Sequence, residues 1–166
     1  MSRLKKIDMG HLYRNSGTVF NLWSNGYAPF FADYVHDSQN ILIAVSCRLG
    51  DSEATEIALL DTGAPWSVID ADTAEILGDQ LGPPMPAPNL RSWRGNFRGN
   101  LHNLKITLIA QQGCGVDFSL DGTVFVADGW NGPIVLGFHG FLERVRIALD
   151  PGLTHGQELF FFGEIK

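Results

Sequence analysis

An all-β domain with one or two short helices is what the sequence predicts, and three observations carry that prediction. Short apolar runs rich in Val, Ile, Leu and Phe recur from Ile41 onward, clusters of Gly, Pro, Asn and Asp separate them, and the stretches with helical character are brief. A chain of 166 residues fits one domain with a core of its own. With 45% apolar and 18% charged residues, it has too much to bury and too little charge to stay disordered.

Residues 1–28 read as an irregular arm in which Phe20, Trp23 and Tyr27 lie among Asn, Ser and Gly. Such aromatics need cover, from the domain or from a partner. The domain proper is placed at 29–166 and opens on a short strand around 29–32. Residues 41–49 predict a buried strand, Gly50 to Glu53 a turn, and 55–60 the returning arm of a hairpin. Asp61 to Gly63 interrupts the pattern, and 67–69 resumes it. Asp72, with Glu75 three residues on, is a capping-box pattern, so a short helix is expected from Asp72 as N-cap to Gly78 at its end.

The four prolines within 81–89 mark a loop. Residues 90–97 and 100–110 read as two arms of a long hairpin with Gly95 to Gly99 at its tip. Further strands are expected at 118–120 and 124–127, on either side of the turn pair Asp121-Gly122. A buried run at 134–136 ends at Gly137, and a short helix is expected over 138–144. Val145, Ile147 and Leu149 alternate with Arg144, Arg146 and Ala148, the period of a half-exposed strand. Pro151-Gly152 then turns the chain into a last strand at 159–162.

The net charge of −6 gives no electrostatic reason to expect nucleic acid or an anionic membrane as a partner. Arg91, Arg94, Arg98 and Lys105 do interleave with Trp93 and Phe97, as in some nucleic-acid binders. A glycine-bearing hairpin in an acidic chain accounts for them better. No run of about 18 apolar residues is present, so no membrane-spanning helix is expected. The basic start of the chain lacks the apolar centre of a secretory signal. Cys47 and Cys114 leave open one bridge or two thiols, and two reduced cysteines in a cytoplasmic protein is the expectation. The five histidines lack ligand spacing and neither cysteine sits in a C-x-x-C pair, so no metal site is expected. The stretch from Gly95 to Gly99 lacks the Lys-Ser/Thr and following helix of a phosphate loop.

The informative place is Ala58-Leu59-Leu60-Asp61-Thr62-Gly63-Ala64. A carboxylate there directly follows a buried apolar strand and precedes a Gly that lets the backbone turn. Burial penalises an ionised acid, so such an Asp needs partners. Thr62 and the Gly63 amide stand ready to supply them. An ordinary Asp-Thr-Gly turn is the bland account, since all three residues favour turns. A string of this type arises by chance in about one chain in a hundred of this length, so its context decides.

That context resembles the retropepsin-like aspartic peptidases over about residues 29–163. Their first signature is an apolar pair, D-T-G-A, a small polar residue and an aliphatic pair. This chain has Leu59-Leu60-Asp61-Thr62-Gly63-Ala64-Pro65-Trp66-Ser67-Val68-Ile69. Their second is an aliphatic run ending in Gly, a short helix, and a strand closing on Asp; here Ile134-Val135-Leu136-Gly137, Phe141-Leu142-Glu143-Arg144 and Ile147-Ala148-Leu149-Asp150 stand in that order. The resemblance implies a closed acid-protease barrel or sandwich. It implies Asp61 as catalytic acid and base, Thr62 and Gly63 holding it, and Thr62 reaching across a two-fold axis. It makes 93–99 a flap over a bound peptide, with Trp93, Gly95, Asn96 and Phe97 on the substrate along with Ala64. Gly137 becomes a packing position and Asp150 a structural strand end. Trp66 either lines a substrate pocket or packs in the core.

Peptide hydrolysis by this route needs two carboxylates sharing a proton. It calls for no metal and no organic cofactor. The chain offers one D-T-G, and Asp128-Gly129 lacks the Thr, so a homodimer pairing Asp61 with its own copy is the simplest solution. Ala64 brings no hydroxyl to the carboxylate, which implies a mildly acidic optimum. Viral members carry Asp after D-T-G-A and Arg after the second-signature Gly; here Pro65 and Phe138 replace both, and the usual dimer clasp is absent. Two function classes follow: an aspartic endopeptidase acting on a peptide or protein substrate, or a non-catalytic dimerisation or peptide-binding module on the same fold. Self-release from a larger precursor is compatible with the first.

Overall fold

A computed structural model describes residues 12–13, 19–20, 25–34, 41–92, 94–152 and 157–165; Trp93 and most of the arm, Trp23 included, lie outside them. In chain order the first strands are β1 Leu12–Tyr13, β2 Val19–Phe20, β3 Gly26–Pro29, β4 Phe31–Tyr34, β5 Ile41–Leu49, β6 Glu56–Leu60 and β7 Ser67–Asp70. Helix α1 Ala71–Leu77 and a 3-10 turn, Gly78–Gln80, come next. They are followed by β8 Met85–Pro86, β9 Leu90–Ser92, β10 Gly95–Phe97, β11 Gly99–Leu108, β12 Phe118–Ala127 and β13 Ile134–Leu136. A 3-10 turn at Leu142–Arg144, β14 Val145–Asp150 and β15 Leu159–Glu164 complete the chain. The fold is all-β, with a single α-helix of seven residues among the described ones.

Strands β5, β6, β13, β7, β12 and β11 hydrogen-bond in that order, and β11 pairs back onto β5 from Ile106↔Leu49 to Leu108↔Cys47. That last pairing closes the sheet into a barrel and leaves β4 and β8 as short additions. Alternate residues point inward, as the strand period of two requires. Val45, Cys47 and Leu49 of β5 meet Leu104, Ile106 and Leu108 of β11 in one buried cluster. Strands β14, β15 and β3 form a second sheet whose Phe160 and Phe162 enter the same core. Residues of β3, three of them from the stretch read as an arm, are thus tied to β15. Both cysteines are free thiols, Cys47 buried and Cys114 half-buried. No helix among the described residues is long and apolar enough to cross a membrane.

Several expected elements differ. The strand around 29–32 is two strands, β3 and β4, with buried Phe30 between them. The helix is capped by Asp70, whose Oδ1 accepts the Thr73 N–H at 2.6 Å, and Asp72 lies inside the first turn. Strand β7 runs one residue further than the apolar pattern shows, which hands the cap to Asp70. Gly78 does end the helix, at φ 51°. The proline loop holds the short strand β8, paired to β11 at the sheet edge where a proline is tolerated.

The hairpin expected between 90–97 and 100–110 does not form. Strand β9 turns back onto β10, pairing Ser92 with Gly95, while β11 pairs with β12 over its whole length. Gly99 is not a tip: a Cβ there would lie 1.9 Å from the Val126 carbonyl oxygen, so the glycine permits close approach of two strands. Likewise Asp121-Gly122 does not turn. Both residues sit inside β12, opposite Lys105 and Leu104, and tertiary pairing overrides local turn preference. The helix expected over 138–144 is confined to the 3-10 turn Leu142–Arg144.

Candidate active site

Strand β13 threads between β6 and β7, parallel to the first and antiparallel to the second. The ends of the two aliphatic runs are therefore side by side. Asp61 is the first residue beyond β6, and its N–H donates to the Leu136 carbonyl at 3.1 Å, the last bond of that ladder. There the backbone turns, because the side chain supplies the acceptor the turn needs. Asp61 Oδ1 accepts the Gly63 N–H at 2.9 Å and the Ala64 N–H at 3.2 Å. Its carboxylate is exposed yet fixed in orientation.

The loop after β13 packs against the loop after Asp61. Phe138 N–H donates to the Ala64 carbonyl at 2.9 Å, and His139 N–H to the Pro65 carbonyl at 2.8 Å. Gly137 N–H donates to Ser67 Oγ at 3.1 Å, and that hydroxyl is buried. This bond answers an amide that would otherwise be orphaned inside the crossing. Pro65 and Phe138, two positions singled out in the sequence, are brought close together by these bonds.

A cavity of about 560 Å³ adjoins the carboxylate. Leu59, Leu60, Val68 and Val135 build its apolar wall from β6, β7 and β13. The β9–β10 hairpin contributes Leu90, Arg91, Ser92 and Arg94, and Trp130 and Pro133 close another side. Trp130 is anchored by its Nε1–H, which donates to the Pro133 carbonyl at 3.0 Å. The Arg94 guanidinium carbon lies 6.0 Å from the Trp130 ring centroid.

Of the residues singled out in the sequence, Asp61, Gly63 and Ala64 line this cavity, and Thr62 is exposed between them. Trp66 is half-buried and stacks on Phe125 with ring centroids 6.1 Å apart, a core contact rather than a cavity wall. Phe97 meets Trp130 edge-on at 5.1 Å, behind the wall. Gly95 and Asn96 are exposed on β10, and Trp93 is outside the described residues. Trp130 had no mark in the sequence beyond being an aromatic between two strand ends. Arg91 and Arg94 were visible only as part of a basic stretch. Among the described residues, no group of three His, Cys, Asp or Glu side chains is gathered that could hold a metal ion.

No protein-family model and no curated protein matches the sequence. Similarity is found among solved structures, in the fold. A retropepsin-like aspartic protease from Rickettsia conorii is similar at 16% identity over 84% of this chain and 94% of that one, with a TM-score of 0.47. EIAV protease, solved with the inhibitor HBY-793, is similar at 18% identity over 63% of this chain and 86% of that one, with a TM-score of 0.38.

Proposed function

We propose that the chain is an aspartic endopeptidase whose active form pairs Asp61 with its copy in a second subunit. The observation that carries this reading is the Asp61 carboxylate itself. It is held by two backbone amides at the end of a barrel strand, solvent-accessible, and beside a cavity with an apolar wall. An isolated turn Asp needs neither the strand crossing behind it nor the cavity beside it.

In the dimer two such carboxylates share one proton, since like charges a few Å apart do not both ionise. One takes a proton from the attacking water, and the other, protonated, polarises the scissile carbonyl. The apparent pKa values then belong to the pair. Thr62, exposed beside Asp61, reaches the partner loop. Pro65 and Phe138 pack as an apolar contact where viral members place an ion pair. The β9–β10 hairpin, which lines the cavity through Leu90, Arg91, Ser92 and Arg94, acts as the flap. Fission needs only the dyad and a water.

The test is a cleavage assay across pH on a peptide library, run with sedimentation of the same samples. Wild type is expected to sediment as a dimer and to cleave best at mildly acidic pH, and Asp61→Asn to dimerise without cleaving. A dimeric wild type that cleaves nothing at any pH would leave a binding module on this fold.

A further inference from the structure

The cavity beside Asp61 is unevenly charged. Its ionisable lining residues are Asp61 at one side and Arg91 and Arg94 on the β9–β10 hairpin; apart from Ser92, the remaining side chains are apolar. The Arg94 backbone is fixed in the turn by its N–H, which donates to Ser92 Oγ at 3.1 Å, and its guanidinium carbon lies 6.0 Å from the Trp130 ring centroid. A guanidinium held against an aromatic ring still presents N–H groups at its edge, in a fork that matches a carboxylate.

A peptide lying in this cavity meets an apolar wall and two guanidinium groups within one space. A neutral polar side chain there gains ordinary hydrogen bonds, a carboxylate gains charge-assisted ones, and a Lys is repelled. The whole chain carries −6, so long-range steering of an acidic peptide is unfavourable and selection has to come from these local contacts. On the peptidase reading above, we propose that Arg91 and Arg94 select substrates with an Asp or Glu side chain close to an apolar residue at the cleavage site. Both arginines are exposed, so the effect is moderate.

The test uses pairs of quenched fluorescent peptides that differ only by Glu or Gln at one position near an apolar cleavage site. At one such position, wild type is expected to show kcat/KM about tenfold higher for Glu, with the ratio falling as salt is added. In the Arg91→Gln/Arg94→Gln double variant the ratio drops to near one. Arg98→Gln, which removes a charge outside the cavity wall, keeps it. Should the double variant fail a thermal unfolding check, the two single variants carry the same comparison with a smaller drop each.

Anisotropy of the labelled peptides on Asp61→Asn separates this proposal from the catalytic one. Cleavage without a Glu preference overturns the proposal and leaves the peptidase reading standing. Glu-selective binding that the arginine variants lose, with no cleavage by wild type, upholds the selectivity and removes the peptidase. A ratio that survives in the double variant, a preference for Lys, or capture of a single-stranded oligonucleotide in place of either peptide overturns it outright.

Discussion

Gly137 and Trp66 approach so closely that a Cβ on the glycine would lie 2.2 Å from both the carbonyl carbon and the carbonyl oxygen of Trp66. The obstacle is backbone, which cannot rotate away. Gly137→Ala is therefore expected to cost about 3 kcal/mol or more, at or beyond the upper end of ordinary overpacking. Gly129→Ala is the control: its Cβ meets nothing within 4 Å, and only φ 72° opposes it, at about 1–2 kcal/mol. Urea midpoints of the two variants decide the matter. Equal losses would mean that the crossing behind Asp61 is looser than these distances.

The helix cap offers a clean pair. Asp70 Oδ1 accepts the Thr73 N–H, whereas Asp72 sits two positions further in, within the first turn. Asp70→Ala should cost about 1 kcal/mol, the usual worth of an N-cap. Asp72→Ala should cost only the few tenths expected of a charge near the helix N-terminus. The reverse order in thermal denaturation would return the cap to the residue that the capping-box pattern favours.

That reversal shows where sequence reading stops. Ile41–Leu49 was legible from end to end because a short apolar run with the β-branched Ile41, Ile43 and Val45, closed by Gly50, favours a strand over a buried helix. Asp61 was legible because a carboxylate after Leu59-Leu60 and before Gly63 is chemically conspicuous. Gly99 and Gly122 misled for one shared reason: a glycine looks the same in sequence whether it serves a turn or a close approach. Only the partner strand distinguishes them, through Val126 at Gly99 and through Leu104 opposite Gly122. Arg91, Arg94 and Trp130 come together only when β9 folds back on β10 over the barrel, and local pattern holds no record of that pairing.

Phe138 is 42% exposed, a large aromatic in solvent beside the Asp61 loop. In the proposed dimer it packs across the two-fold axis, and placing a charge there buries that charge in an apolar contact. Phe138→Asp is expected to weaken dimerisation by at least about tenfold. Activity per chain should fall at low protein concentration and recover as concentration rises. Sedimentation over a dilution series reads both limbs. Unchanged dimerisation would place the interface elsewhere.

The two thiols should behave differently. Cys47 is fully buried, and burial, with the Glu56 carboxylate adding to it, pushes its pKa up to about 12. A thiol that is both enclosed and protonated is inert to alkylation near neutral pH. Cys114 is half-buried and therefore less enclosed than Cys47. Iodoacetamide on the folded protein should modify Cys114 alone, with Cys47 following only in denaturant; peptide mass mapping identifies the site. Early labelling of Cys47 would show that the barrel opens between β5 and its neighbours far more often than its packing implies.

Glu143 links the loop after β13 to pH. The Gly140 N–H, donating to Glu143 Oε1 at 2.7 Å, is the largest influence holding this carboxyl below the usual range, and His139 Nδ1 at 3.3 Å from Oε2 is the next. A carboxyl whose pKa is lowered by folding binds its proton more readily in the unfolded chain. Its stabilising effect is therefore complete above the ordinary carboxylate range and disappears as pH falls through the lowered, folded-state value. Glu143→Gln should be less stable than wild type at neutral pH, and the gap should close progressively in acid. The residue is exposed, so the gap is small and a full series of urea midpoints from pH 7 to below the carboxylate range is needed to see it. A gap that stays constant over that series would assign the loss to packing of the 3-10 turn rather than to the carboxylate's charge.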